Sequence, residues 1–144
     1  MSSAKFETLK NGELLHFSVG ALIEKDGKFL LIDRNLHPFG FACVAGHVDE
    51  GESPEVALER EVREECGLIV ESAKLVVEEE VTQKNKCTYG VEQHKWFVFS
   101  CTVSGDLKTN EREVKSSGWY TPTEIKELKV EPVWKYWLQK LAII

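Results

Sequence analysis

One segment of the sequence, from Ser53 to Gly67, has residues typical of both the beginning and the end of a helix. The Ser53 hydroxyl can cap the first turn, and Pro54 follows at a position where no amide hydrogen is needed. Gly67 is suited to the left-handed conformation that closes a helix, and Leu68 can supply the accompanying hydrophobic contact. These signals predict a helix from Pro54 to Cys66.

The side chains of this helix separate into an apolar stripe and an acidic stripe. At about 100° per residue, the apolar stripe consists of Leu58, Val62 and Cys66. The adjoining acidic stripe consists of Glu61, Glu64 and Glu65. Like charges at these spacings each destabilise a helix by roughly 0.2 to 0.5 kcal/mol, so we expect a cation to compensate them. Crowded carboxylate oxygens suit magnesium or manganese.

A solvated helix face is the competing interpretation of the acidic stripe. Arg60 can pair with Glu64, and Glu59 with Arg63, at the i,i+4 spacing that stabilises exposed helices. On the helix alone this interpretation is favoured over a metal site. The residues that precede the helix reverse that preference.

The helix belongs to a longer pattern that begins at Gly46. The sequence reads Gly46, five residues, Glu52, seven residues, and then Arg-Glu-Val-Arg-Glu-Glu-Cys-Gly-Leu, ending at Leu68. This segment resembles the Nudix box and matches every specified position of that signature with the correct spacing. The chain is therefore identified as a member of the Nudix hydrolase family.

The resemblance implies an α/β fold in which a mixed β-sheet is sandwiched between α-helices. At 144 residues, of which 42% are hydrophobic, we expect one domain over residues 1–144. Apolar segments 17–23 and 29–32 flank an Asp26-Gly27 step and are expected to form an antiparallel hairpin. Periodicity further predicts strands at 41–44, 75–81, 95–103 and 114–120, a loop at 46–51, and helices at 123–128 and 133–141.

The resemblance also implies a site for Mg²⁺, with Mn²⁺ as a substitute. The implied metal ligands are the carboxylates of Glu61, Glu64 and Glu65 and the main-chain carbonyl of Ala45. Arg60 matches the family residue that orients these carboxylates, and Glu52 matches a glutamate that braces the loop or contacts metal through water. Glu61 is also the commonest general base within the box.

Further site residues are expected outside the box. Family members sometimes place the general base on a later loop, where Glu92, Glu111 and Glu113 are possible and Glu113, six residues before Trp119, is preferred. Phe41 could stack on a nucleobase, and Arg34 could meet a phosphate. His47 is expected to be an exposed loop histidine without an assigned role.

The implied reaction is metal-dependent hydrolysis of a diphosphate linkage in a nucleoside diphosphate linked to another moiety. Substrates of this kind include nucleoside triphosphates, nucleotide sugars and ADP-ribose. Two alternatives remain: an enzyme resembling isopentenyl-diphosphate isomerase, and a nucleotide-binding regulatory module that has lost catalysis. Members of the family often dimerise, so a homodimer is possible.

Composition limits the other partners and the location. A formal net charge of -6 disfavours long nucleic acids. The four cysteines form no CxxC pair, which favours reduced thiols. Residues 1–14 lack the apolar core of a signal peptide, and no apolar run reaches membrane-spanning length, so we expect a cytoplasmic protein that does not contact membranes.

Overall fold

The computed structural model describes residues 5–8, 14–35, 39–82, 93–112 and 114–144. In chain order these residues form β1 (Phe6–Thr8), β2 (Leu14–Lys25), β3 (Lys28–Arg34), β4 (Phe41–Ala42), β5 (Val44–His47), α1 (Pro54–Cys66), β6 (Ile69–Thr82), β7 (Gln93–Ser104), β8 (Val114–Tyr120), α2 (Pro122–Lys126) and α3 (Pro132–Lys140).

The predicted hairpin is present between β2 and β3. Glu24 pairs with Phe29 and Lys25 with Lys28, so the two residues between them form the turn. Both have positive φ, 53° at Asp26 and 77° at Gly27. Asp-Gly is favoured in two-residue turns of this kind because both positions require positive φ.

Strand β2 is the centre of a mixed sheet whose main path is β4-β3-β2-β7-β6. It runs parallel to β7 over residues 15–23 and 93–101. It also pairs antiparallel with β5, with Ser18 opposite His47 and Ala21 opposite Val44. The remaining strands extend the sheet, since β1 pairs with β2 and β8 with β3. These pairings place β5, which leads into α1, against the middle of the sheet.

The helices cover the two faces of this sheet. Alternate β2 residues Leu15, Phe17, Val19, Ala21 and Ile23 pack into one buried cluster with the apolar stripe of α1. A second cluster contains the apolar side chains of α2 and α3, including Trp134, Trp137 and Leu138. A β carbon at Gly20 would stand 2.6 Å from the Trp134 ring, so glycine admits this close approach. The predicted α/β sandwich is confirmed.

Helix α1 has the predicted boundaries and signals. Ser53 Oγ accepts a hydrogen bond from the Val56 amide at 3.2 Å. Gly67 has φ 68° and its amide donates to the Arg63 carbonyl. The predicted apolar stripe is buried, with Leu58, Val62 and Cys66 at most 1% exposed.

Other boundaries differ from the sequence-based expectations. Strand β6 is longer than predicted, because it lies at the sheet edge with mostly exposed side chains and its ends lack an apolar alternation. Strand β7 begins two residues earlier and ends one residue later than predicted. The loop predicted from residue 46 begins later, since Gly46 and His47 belong to β5. Helices α2 and α3 each begin one residue earlier, with Pro122 and Pro132 at the helix start.

The cysteines agree with the expectation of reduced thiols where the structure describes them. Cys43, Cys66 and Cys101 are buried and form no disulfide, whereas Cys87 lies outside the described residues. Burial raises the pKa of the Cys66 and Cys101 thiols to about 12, which keeps them protonated and unreactive at neutral pH. None of the helices in the described ranges has the length and apolar character needed to cross a membrane.

Candidate active site

The candidate site is formed by β5, the turn after it and α1. The turn is closed by two bonds between Asp49 and Glu52: the Glu52 amide donates to the Asp49 carbonyl at 3.1 Å, and the Asp49 amide donates to Glu52 Oε1 at 2.9 Å. This arrangement directs the Glu52 carboxylate toward α1, where it meets Arg60.

Arg60 is the centre of the site. Its Nε and Nη2 donate to the two oxygens of Glu52 at 2.8 and 2.9 Å, a bidentate pair. Its Nη1 donates to Glu61 Oε1 at 2.8 Å and to Glu64 Oε2 at 3.3 Å. Nη2 also donates to the His47 carbonyl at 2.9 Å and lies 3.4 Å from Asp49 Oδ2. One guanidinium therefore ties the strand, the turn and the helix together.

These contacts determine the local electrostatics. The hydrogen bond with Glu52 raises the pKa of Arg60, and Glu61 and Asp49 add to that effect. The bond from Arg60 correspondingly lowers the pKa of Glu52. The side chain of Arg60 is only 18% exposed, so this cation lies within the acidic cluster. Arg60, a residue of the same helix, therefore supplies part of the positive charge that we expected to compensate the acidic stripe.

The acidic stripe is not uniformly solvated. Glu64 has a side chain that is 52% exposed and makes the i,i+4 contact with Arg60 that the solvated-face interpretation requires. Glu61 is half-buried, whereas Glu65 is only 4% exposed. The solvated-face interpretation is therefore wrong for Glu65. A buried glutamate in a helix requires a polar or ionic environment to offset its desolvation.

The Glu61 carboxylate lies directly against Gly46 of β5. A β carbon at Gly46 would fall within 2.5 Å of Glu61 Oε2, so only glycine leaves room for the carboxylate in this position. The residues assembled here offer carboxylate and carbonyl oxygens, the ligands that Mg²⁺ and Mn²⁺ prefer. The site thus fits a hard divalent cation in both its donor chemistry and the space reserved for Glu61.

The carboxyl end of α1 is held by the loop that precedes β8. The Lys108 amide donates to the Cys66 carbonyl at 2.8 Å, and the Asn110 amide to the Glu65 carbonyl at 3.0 Å. Asn110 Nδ2 also reaches the Glu64 carbonyl at 3.4 Å. Helix ends leave such carbonyls unpaired, so the loop both completes the helix and fixes the turn that carries the two glutamates.

This loop also leads toward the base candidates predicted outside the box. Glu111 is exposed at its end, and its carbonyl accepts a hydrogen bond from Asn35 Nδ2 at 3.1 Å. Glu92 and the preferred candidate, Glu113, lie outside the described residues. The role of Glu113 as a base stays a prediction.

The two residues expected to bind substrate lie on the neighbouring strands β3 and β4, which pair with each other. Phe41 in β4 is half-buried and contacts the Tyr120 ring edge-on at 5.9 Å. Arg34 ends β3, with Nε 4.0 Å from Oε2 of the buried Glu131. Burial raises the pKa of Glu131 to about 7, and the Arg34 charge opposes that rise. Both substrate contacts stay predictions.

The expectation for His47 is wrong. It lies in β5, partly buried, with its ring centroid 4.5 Å from that of His16 and 5.9 Å from that of His94. Burial, together with the neighbouring imidazoles, lowers the pKa of His16 to about 4 and that of His47 to about 3. Strand pairing produces this cluster, since His16 of β2 stands opposite His94 of β7. No spacing along the chain signals it.

Comparison with known proteins assigns the chain to a family. The family model "NUDIX domain" matches residues 14–141. An ADP-ribose pyrophosphatase from Methanocaldococcus jannaschii is 50% identical over 54 residues, which cover 36% of this chain and 32% of that protein. The nucleoside triphosphatase NudI from Escherichia coli O81 is 32% identical over 114 residues, covering 72% of this chain and 80% of NudI.

Solved structures give the same result for the fold. A MutT NUDIX hydrolase from Burkholderia pseudomallei superposes with a TM-score of 0.68 at 27% identity, over 76% of this chain and 85% of that one. The NUDIX domain of Shewanella oneidensis NrtR, solved with ADP ribose, has a TM-score of 0.70 at 16% identity, over 90% and 86% of the two chains. At that identity the second likeness concerns the fold alone.

Proposed function

The chain belongs to the NUDIX family and is a Nudix-type hydrolase, and we propose that it uses a divalent metal to cleave the diphosphate linkage of a nucleoside diphosphate joined to another moiety. The observation that carries this proposal is the oxygen-rich cluster around Arg60, with the Glu61 carboxylate seated against Gly46. The cluster has the donor chemistry that a magnesium-assisted phosphate reaction requires.

Each residue of the cluster has a proposed role. Glu61, Glu64, Glu65 and the Ala45 carbonyl would hold Mg²⁺, or Mn²⁺ in its place, and the ion would polarise phosphate oxygens as a Lewis acid. Arg60 orients the carboxylates through its bonds to Glu61 and Glu64, while Glu52 anchors the other side of the guanidinium. These contacts fix the carboxylates before substrate arrives.

The protein must also remove a proton from the attacking water. Glu61 is the candidate base within the box, and Glu113 is the candidate outside it; either carboxylate would accept the proton as the water oxygen bonds to phosphorus. The pyrophosphate bond then breaks, and the departing phosphate carries the electron pair away. Phe41 would stack on the base of the nucleoside, and Arg34 would contact a phosphate.

A nucleoside triphosphate is the preferred substrate class. The relative that matches over 114 residues is a nucleoside triphosphatase, and that match extends well beyond the box. The relative named for ADP-ribose matches over 54 residues, which makes ADP-ribose the second candidate. Nucleotide sugars complete the set, whereas the net charge of -6 argues against long nucleic acids.

The two alternative functions have less support. An isomerase resembling the isopentenyl-diphosphate enzyme needs an added acid/base pair, and Cys43, Cys66 and Cys101 are buried with no evident role as that acid. A regulatory module without catalysis is expected to have lost box glutamates, whereas Glu61, Glu64 and Glu65 are all present.

The test is product release from a panel of nucleoside triphosphates, dinucleotides, ADP-ribose and nucleotide sugars. Each compound is incubated with magnesium, with manganese and with a chelator. We expect cleavage of a nucleoside triphosphate with either metal and none with chelator. Cleavage that persists in chelator would contradict metal dependence, and a folded, metal-binding protein that cleaves no panel member would favour the regulatory module.

The proposal extends to assembly and location. Among the described strands, β6 pairs only with β7, and it exposes Ile69, Leu75 and Val76 along that edge. Such an edge invites pairing with a second strand, which favours a homodimer. Light scattering coupled to size exclusion would measure the mass.

The buried, reduced thiols suit a cytoplasmic location, which cell fractionation would test.

A further inference from the structure

Three of the four histidines in the sequence meet beside the candidate active site. They come from three strands: His16 from β2, His47 from β5 and His94 from β7. One ring nitrogen from each can be chosen so that all three lie within 4.8 Å of one another. His16 and His94 are buried, at 0% and 1% exposure, while His47 is partly exposed.

The cluster has the chemistry of a transition-metal site. Imidazole is a common ligand of zinc, copper and nickel, whereas Mg²⁺ prefers oxygen. In a tetrahedral zinc site with Zn–N of about 2.1 Å, ligand nitrogens lie about 3.4 Å apart. Starting from at most 4.8 Å, small rotations of the imidazole rings would bring the three nitrogens to that spacing.

The surroundings of the cluster resemble those of a prepared metal site. Ser18 Oγ lies 3.1 Å from His94 Nδ1 and so engages one ring nitrogen of this histidine. Metal-binding histidines usually have their second nitrogen held in this way, which fixes the ring. The three strands are hydrogen-bonded to one another through β2, so the backbone positions are rigid. Partial exposure of His47 provides an entry path.

We propose that His16, His47 and His94 form a binding site for Zn²⁺ or a similar divalent transition-metal ion, separate from the carboxylate cluster. Three protein ligands leave a fourth position for water or another small ligand. The site borders the hydrolytic machinery, because the main-chain carbonyl of His47 accepts a hydrogen bond from Arg60. A bound ion would therefore hold β5 in place and stabilise the position of Arg60.

The test measures Zn²⁺ binding to the full chain in a large excess of Mg²⁺, which occupies the carboxylate cluster. We expect one equivalent of Zn²⁺ to bind and the melting temperature to rise. His94→Ala should weaken Zn²⁺ binding at least tenfold, while His37→Ala, which removes the remaining histidine, should leave it unchanged. Glu64→Gln should also retain Zn²⁺ binding. Loss of binding in Glu64→Gln but not in His94→Ala would place the ion in the carboxylate cluster and overturn the proposal.

A second measurement needs no variant and guards against one that fails to fold. Ring-nitrogen NMR of the wild-type protein should show three of the four histidines shifting when Zn²⁺ is added in excess Mg²⁺. Replacing Zn²⁺ by Co²⁺ should give the intense visible absorption of a four-coordinate ion. No Zn²⁺ binding under these conditions, or binding that moves no histidine signal, would overturn the proposal.

Discussion

The Glu61 carboxylate occupies the space that a β carbon on Gly46 would need: such a carbon would fall within 2.5 Å of Glu61 Oε2. The atoms in conflict are at the far end of a flexible side chain, so an added methyl group would move the carboxylate before it moved the backbone. The first glycine of the box is thereby explained by the position of a carboxylate fifteen residues later in the sequence.

Gly46→Ala is expected to lower turnover while preserving the fold. The displaced Glu61 carboxylate can no longer occupy its place beside β5, and we expect kcat to fall at least tenfold, or ~1.4 kcal/mol in barrier. Gly118→Ala is the matched control, because its β carbon would meet Tyr120 at an ordinary 3.4 Å. Steady-state kinetics and melting temperatures measure both effects. Wild-type kcat in Gly46→Ala would show that Glu61 need not lie there.

Arg60→Lys is expected to weaken both metal binding and catalysis. Lysine keeps the charge but cannot bridge Glu52, Glu61 and the His47 carbonyl at once, because it lacks the planar fork. Loss of a residue that orients ligands typically costs about 10- to 100-fold in affinity or activity. The measurement is kcat/KM as a function of metal concentration. Arg63→Lys, on an exposed part of the same helix, should behave as wild type; equal losses in both variants would refute the prediction.

Glu64→Gln is expected to reduce turnover by orders of magnitude. The substitution preserves size and removes one charge from an exposed position, so circular dichroism should show an intact fold. Glu59→Gln changes the charge of the same helix equally at another exposed position and should retain activity. Wild-type turnover in folded Glu64→Gln protein would remove Glu64 from the metal site.

Glu113→Gln addresses the location of the general base. If Glu113 accepts the proton, its replacement should lower kcat by about 100-fold, within the range typical of general-base loss. Glu127→Gln, exposed and outside the set of base candidates, is the control for removal of one carboxylate. A rate within about twofold of wild type, ~0.4 kcal/mol in barrier, would show that Glu113 is not the base.

Glu131→Gln is expected to alter how stability depends on pH. Burial raises the pKa of folded Glu131 to about 7, above its ordinary value of 4.5. Between these values the folded state binds more protons than the unfolded state, so wild-type stability is lost as pH rises. Glutamine removes that loss.

Denaturant unfolding at pH 4.5 and pH 8 provides the measurement for Glu131. The stability of Glu131→Gln relative to wild type should increase with pH by about 1.4 kcal/mol for each pH unit between the two pKa values. Glu127→Gln, exposed in the same region, controls for removal of one negative charge. A difference independent of pH would mean that folding does not raise the pKa of Glu131.

Local signals in the sequence determined helix α1 and the β2–β3 hairpin. The cap at Ser53, the left-handed Gly67 and the Asp26-Gly27 turn act between near neighbours, so no distant part of the chain is needed to specify them. The box motif likewise placed the acidic residues in one helix and identified the family, because its spacing is contained in 23 consecutive positions, 46–68. Their assignment to metal binding stays a prediction.

Tertiary structure alone decided the environment of those residues. The helix pattern does not distinguish Glu64 from Glu65, yet in the folded protein Glu65 is buried and Glu64 is exposed. The His16–His47–His94 cluster depends on the register of three strands that are distant in sequence. Hydrophobic and charge patterns specify which face of an element is buried, but contacts between elements depend on strand order and register, which one sequence does not display.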